Sequence, residues 1–300
     1  MESGHEASVE GTADIRADQT APRLAPMPAP TFLCIGAQKG GTTWLARAVQ
    51  QHPEVGTGKK KELHFFNHQD AFAKGLDWYE AQFRSNPRHR AVGEFTPNYW
   101  WTTGTPTTFN DLGSADRVAD AYPDLRLIVC LRDPVDRAVS AYFHHMKAGR
   151  YPPSVSLLEA TKAWPDIREF GCYGTQLDAW LNRFPLESFL FLVYEEEIRP
   201  DAAKAETLRR VFEHIGVDPS FTPKDTALRR NEQGSHFDIR LKHASTLAQH
   251  LMKRLPERAR AWSHWDIKVS DADRQALAAE YVPEVARLEQ LLERTMPWSS

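Results

Sequence analysis

The sequence predicts an α/β fold: a mostly parallel sheet with helices on both faces. Three observations carry this expectation. Runs that are apolar at nearly every position recur at 31–35, 125–131 and 188–193, as strands covered on both faces require. Segments of helical period alternate with them, which is the pattern of a parallel sheet rather than of hairpins. With 300 residues, 41% of them hydrophobic and 15 Phe and 9 Trp among them, the chain can bury a large core.

Taken in order, residues 1–30 are rich in Ala, Pro, Glu, Asp and Thr and close on Pro26-Met27-Pro28-Ala29-Pro30. They offer few large apolar side chains, so a disordered arm is expected there and one domain over 31–300. The strand at 31–35 leads through a glycine-rich turn to a helix over 42–51. A short strand is expected at 54–57. After the strand at 125–131, Asp133 can cap a helix whose first turn holds Pro134. Val135, Ala138, Val139, Tyr142, Phe143 and Met146 form its apolar stripe, leaving Asp136, Arg137, Ser140 and His144 on the polar face. A helix at 174–182 precedes the strand at 188–193, and helices follow at 203–215, 239–254 and 271–294. Arg126, which opens the second strong strand, reads as a solvated edge residue.

The formal net charge is −3, so nothing global attracts nucleic acid or a membrane surface, and any anion site must be local. There is no apolar run of about 18 residues to span a membrane and no basic segment followed by an apolar one. Cys34 and Cys130 lie inside apolar strands, where Cys behaves as a small hydrophobe, and the three cysteines are expected to be free thiols. A cytoplasmic location is the expectation. No metal is implied by the spacing of His, Cys or carboxylate residues. Oligomeric state is not set by the sequence, a homodimer being one option.

The local anion site is the turn after the first strand, Gly36-Ala37-Gln38-Lys39-Gly40-Gly41-Thr42-Thr43-Trp44. Gly36 and Gly41 have the G-x4-G spacing of a Walker A loop, whose backbone amides and helix N-terminus cradle phosphates. The Lys-Ser/Thr pair that should follow is replaced by Thr42-Thr43, and the lysine sits inside the loop as Lys39. That placement removes the nucleotide–Mg²⁺ arrangement of NTPases and suits a single terminal phosphate.

Lys39-Gly40-Gly41-Thr42-Thr43-Trp44-Leu45 resembles the 5'-phosphosulfate loop of sulfotransferases that use 3'-phosphoadenosine-5'-phosphosulfate (PAPS). The resemblance implies a P-loop NTPase-like sulfotransferase fold and a PAPS donor bound by Lys39, Gly40, Gly41, Thr42, Thr43 and Trp44. The family's 3'-phosphate element, an Arg at a strand end followed by a Ser in the next helix, is matched by Arg132 and Ser140. Arg132 alone reads equally well as a partner of Asp133 or Asp136. Tyr194 resembles the family's tyrosine near the adenine, although a half-buried aromatic is an equal reading. Arg230 and Asn231 fall where the family closes a loop over the nucleotide.

Lys61-Glu62-Leu63-His64-Phe65-Phe66-Asn67 is similar to the Lys-Glu-x-His-Phe-Phe-Asp/Asn element of carbohydrate sulfotransferases, the heparan sulfate group in particular. There the glutamate is the general base, which implies that Glu62 takes the acceptor's proton while Lys39 neutralises the leaving oxygen. Burial by Leu63, Phe65 and Phe66 is expected to raise the Glu62 pKa, and Lys61 to oppose that if it points inward. His64 shares the side of Glu62 on an extended segment and is the second candidate base. Phe66, Glu94, Tyr99 and Trp100 are expected on the acceptor side, and the run Tyr99-Trp100-Trp101 reads as a substrate wall, a core cluster being an equal reading. At Gly93-Glu94-Phe95-Thr96-Pro97-Asn98-Tyr99, Phe95 replaces the family's lysine and points to a more apolar, small or medium-sized acceptor. A carbohydrate hydroxyl or amine is the alternative. Readings from other classes are a P-loop nucleotide kinase and a non-catalytic nucleotide-binding protein.

Overall fold

A computed structural model describes residues 29–84, 86–224, 226 and 267–298. The expected helix at 239–254, Arg230, Asn231 and all but the last two residues of the expected arm lie outside the described residues.

Six strands form one sheet: β1 (Phe32–Gly36), β2 (Val55–Gly58), β3 (Phe83–Arg84), β4 (Ala91–Phe95), β5 (Arg126–Leu131) and β6 (Phe189–Val193). Their order is β3-β2-β4-β1-β5-β6. All pairs are parallel except β2 with the two-residue edge strand β3. The helices are α1 (Thr42–Val49), α2 (Gln69–Phe72), α3 (Leu76–Glu80), α4 (Ser114–Ala121), α5 (Pro134–Ala148), α6 (Leu157–Ala163), α7 (Asp166–Glu169), α8 (Tyr173–Leu181), α9 (Lys204–Ile215) and α10 (Asp271–Leu292).

Alternation along the central strands divides the core in two. Leu33 and Ile35 of β1 and Leu127, Val129 and Leu131 of β5 face a large core shared with α5, α8 and α10. Phe32, Cys34, Ile128 and Cys130 face a smaller one shared with α1 and α9. Helices on both faces of a mostly parallel sheet are what the apolar runs predict. Cys34 and Cys130 are free and buried, and Cys172 is free and partly exposed.

β4 and the two-residue β3 are strands that periodicity does not show. Gly93 and Glu94 interrupt the apolar pattern of β4, yet all five of its residues are buried between β2 and β1. The helix after β5 starts as expected: Asp133 accepts from the Asp136 amide at 2.8 Å and Pro134 occupies the first turn. A cap of this kind contributes roughly 1 kcal/mol. Arg137 departs from its expected place on the polar face. Its side chain is 0% exposed, its guanidinium donates to the Ile167 carbonyl, and it lies 5.8 Å from the Phe170 ring centroid. Packing of α7 against α5 covers what an isolated helix would leave in water.

Candidate functional site

The loop from β1 to α1 lies against the end of β5. The Ala37 amide donates to the Cys130 carbonyl at 3.0 Å, and a Cβ on Gly40 would fall 2.1 Å from that same oxygen. Only glycine lets the loop pass so close. Gly41 has φ 104 and starts α1, whose first amides, at Thr42 and Thr43, have no intrahelical carbonyl to bond. Lys39 has φ 72 and His64 φ 54; both are site residues held in the left-handed region that side chains rarely adopt.

Arg132, at the end of the neighbouring strand, joins the loop. Its Nη1 is 3.5 Å from the Lys39 carbonyl oxygen, and its guanidinium lies 4.9 Å from the centre of the Tyr194 ring, on the π-helical turn Tyr194–Ile198 that follows β6. Ser140 is partly exposed two turns along α5. Trp44 Nε1 donates to the Thr226 carbonyl at 2.9 Å, tying the segment after α9 to the loop. Of the predicted donor-binding residues, the structure therefore brings together Lys39, Gly40, Gly41, Thr42, Thr43, Trp44, Arg132 and Tyr194, with Ser140 on the helix that leaves Arg132.

This half of the site fits a polyanion. Arg132 Nε, a donor, is buried without a hydrogen-bond partner among the described residues. Burial, then the charges of Arg132 and Arg137, lower the Lys39 pKa to about 8. A bound anion favours the charged amine and so raises that pKa again. Affinity for a bisphosphate nucleotide is thus expected to be full below about pH 8 and to fall by up to about tenfold per unit above it. Calorimetric titration across that range checks this, and a flat profile would remove Lys39 from the anion site.

The second half is the segment 61–66, and β4 holds it in place. The Phe95 amide donates to the Lys61 carbonyl at 3.2 Å. The Leu63 amide donates to Glu94 Oε2 at 2.9 Å and is 3.0 Å from Thr96 Oγ1, and the Phe65 amide donates to Tyr99 Oη at 2.9 Å. Glu94 also accepts from Thr96 Oγ1 (2.6 Å), Tyr79 Oη (2.7 Å) and Tyr99 Oη (2.8 Å). Burial raises the Glu94 pKa against the pull of these hydrogen bonds.

Four expected acceptor-side residues therefore move into the interior. Glu94, Tyr99, Phe66 and Trp100 are at most 1% exposed, and none of the four lines the cavity onto which Glu62 opens. Glu94 and Tyr99 position the segment that carries Glu62; Phe66 and Trp100 are core. Phe95, in place of the family's lysine, is buried in the smaller core with its ring centre 5.8 Å from that of Phe32.

Glu62 is bracketed by Lys61 and His64. Lys61 Nζ is 2.6 Å from Oε1 and His64 Nε2 is 3.4 Å from Oε2. His64 Nδ1 faces Asn67 Oδ1 at 3.3 Å, an orientation fixed by Asn67 Nδ2 donating to the Phe109 carbonyl at 3.0 Å. The expected upward pKa shift is reversed. Burial pushes the carboxyl up, but the His64 hydrogen bond and the charge and hydrogen bond of Lys61 outweigh it and hold Glu62 at about 2. Lys61 is the inward-pointing member of the lysine triplet; Lys59 and Lys60 are exposed.

Gln38 and Glu62 open onto one cavity of about 340 Å³, lined also by His64, His68, Asn98, Trp101, Phe109, Arg150, Asp166 and Phe170. A family model described as the sulfotransferase domain matches residues 29–238. The chain belongs to the sulfotransferase domain family. Among relatives, the human heparan sulfate glucosamine 3-O-sulfotransferase 6 is 31% identical over 202 residues, which cover 65% of this chain and 54% of that protein. The mouse heparan sulfate glucosamine 3-O-sulfotransferase 3B1 is 31% identical over 203 residues, 65% of this chain and 48% of its own. The sulfotransferase domain here thus spans about half the length of the curated relatives it matches. A sulfotransferase crystal structure from Alicyclobacillus acidocaldarius superposes with a TM-score of 0.66 at 26% identity, covering 91% of this chain and 100% of that one.

Of the far wall of the cavity, sequence reasoning read only Trp101, within the run Tyr99-Trp100-Trp101. It missed Phe109, Arg150, Asp166 and Phe170, which come from loops and short helices that no spacing signal links.

Proposed function

We propose that this sulfotransferase domain moves the sulfuryl group of PAPS onto a hydroxyl of a small or medium-sized acceptor. The observation that carries the reading is that the phosphate-type loop and the Glu62–His64 pair open onto the same cavity. Lys39 and Arg132, from neighbouring strands β1 and β5, hold the donor's phosphates; Lys39 stabilises charge that grows on the leaving oxygen. Glu62, ionised at any working pH, accepts a hydrogen bond from the acceptor hydroxyl and aims its oxygen for in-line attack. A carboxylate with a pKa of about 2 is a weak base. It takes the proton late, once bond formation to sulfur has made the hydroxyl strongly acidic.

The cavity size supports a compact acceptor or one unit of a longer one. A carbohydrate hydroxyl is the second reading, supported by the Lys61–Glu62–His64 geometry in a segment that resembles the carbohydrate enzymes and by the names of the relatives.

Thermal stabilisation tests the donor assignment. Adenosine 3',5'-bisphosphate at about 100 times its dissociation constant is expected to stabilise the fold by about 2.7 kcal/mol, with no requirement for Mg²⁺. A shift produced by ATP with Mg²⁺ but not by the bisphosphate would replace this reading with a nucleotide kinase. Binding of the bisphosphate without transfer from labelled PAPS to any of a panel of hydroxylated acceptors would favour a non-catalytic nucleotide-binding protein.

A further inference from the structure

Between the end of β5 and the first turn of α5 lie two residues, Arg132 and Asp133, that belong to neither element. Side chains hold the backbone of this link. The Asp133 amide donates to Glu195 Oε1 at 3.2 Å. Arg132 is held twice by one group: the Tyr173 hydroxyl donates to its carbonyl at 2.7 Å, and the Arg132 amide lies 3.3 Å from the same hydroxyl oxygen. Tyr173 opens α8 and is 0% exposed, so it cannot meet a ligand itself. The tyrosine is in turn fixed from behind. Gly171 and Gly174 flank it, and a Cβ on Gly171 would fall 2.8 Å from the Tyr281 ring of α10, one on Gly174 2.6 Å from Arg287 Cβ. Glu284 of α10 accepts from the Thr175 amide at 2.8 Å and from Thr175 Oγ1 at 2.7 Å. The start of α8 is thus seated closely on α10.

An arginine reads a phosphate through a rigid fork, and the fork is only as well placed as the backbone that carries it. Little fixes the Arg132 side chain directly. Its Nε is buried without a partner among the described residues, and its guanidinium meets the Lys39 carbonyl at 3.5 Å and the Tyr194 ring centre at 4.9 Å. The fold secures the backbone instead, and Tyr173 does so at both of its polar groups. Resting on the proposed binding of the donor's 3'-phosphate by Arg132, we propose that Tyr173 is a positioning residue that aims Arg132 and so sets the preference for nucleotides that carry a 3'-phosphate. Helix α10 contributes at one remove, as the support on which that tyrosine stands.

Calorimetric titration of the full chain with adenosine 3',5'-bisphosphate and with adenosine 5'-monophosphate tests this, because the two ligands differ in the 3'-phosphate alone. Tyr173→Phe is expected to weaken the bisphosphate by about fivefold to tenfold, the scale of one or two lost hydrogen bonds, and to leave the monophosphate within about twofold. In an Arg132→Ala background the same change is expected to alter neither. A tyrosine that only stabilises the fold does not distinguish the two nucleotides. An equal loss for both, no loss for either, or a loss that persists without the Arg132 side chain would therefore each overturn the proposal. Hydrogen exchange in the unaltered protein gives a second measurement that needs no variant. At equal saturation the bisphosphate is expected to slow exchange at the start of α8 more than the monophosphate does, and equal slowing would overturn the proposal. A wild-type protein that binds both nucleotides equally would remove the donor reading and this inference with it. A clear wild-type preference that Tyr173→Phe retains counts against Tyr173 alone.

Discussion

Replacing Glu62 by Gln is expected to lower turnover by about two to four orders of magnitude, the range that a positioned acid or base supplies, while the rise in melting temperature caused by adenosine 3',5'-bisphosphate stays as it is. The amide keeps the size of the carboxyl and loses the charge that accepts the acceptor's proton. The side chain is 33% exposed, so the fold tolerates the change. Its effect on turnover is expected to be the same across the neutral range. The pKa of Glu62 lies at about 2, below its unfolded value, so the carboxylate is fully ionised above that unfolded value and is lost only as pH falls toward 2. An acid limb near neutrality in the wild-type profile, if observed, therefore belongs to another group. Paired measurements of kcat and of bisphosphate-induced stabilisation check this. Turnover within a few-fold of wild type would move the base to His64.

The second large effect is expected at Glu94. Glu94→Ala removes the acceptor for four donors, the Leu63 amide and the hydroxyls of Thr96, Tyr79 and Tyr99, at a site that is 1% exposed. Orphaned buried donors cost about 1–3 kcal/mol each, so a loss of roughly 4 kcal/mol or more is expected, against a total of about 5–15 kcal/mol for a domain. Urea unfolding measures it. Glu94→Gln, which keeps the volume and one acceptor oxygen, is expected to fall between the two. Were Glu94 an acceptor contact, the alanine variant would lose activity with an unchanged unfolding midpoint.

The contrast between Glu62 and Glu94 shows what the sequence makes legible. Strands β1, β5 and β6 announce themselves because residues covered on both faces must be apolar throughout. The Lys39 loop and Arg132 announce themselves because each sits at a strand end, at fixed distances from a recognisable element. Glu94 misleads because an acidic residue in a strand suggests a ligand contact. Its carboxylate instead satisfies the nearby hydroxyls of Thr96 and Tyr99 together with the Tyr79 hydroxyl and the Leu63 amide from other segments, which no local pattern signals. The same blindness reversed the expected shift at Glu62. Burial follows from Phe65 and Phe66, but the sign depends on whether Lys61 and His64 turn toward the carboxylate, which the sequence does not show. Arg137 fails for a related reason. Its period places it on a polar face, and α7, which follows a loop and α6, then covers that face.

The Gly40 contact with Cys130 and the Arg132 contact with Lys39 put the proposed donor half of the site at the ends of adjacent strands of the sheet. The far wall, from Phe109 and Arg150 to Phe170, hangs on loops and short helices that the sheet does not constrain. As an engineering scaffold the molecule therefore divides cleanly. Loop grafts around 101–112 and 149–170 are expected to alter the acceptor side of the proposed site and to leave the loop at Lys39 as it is.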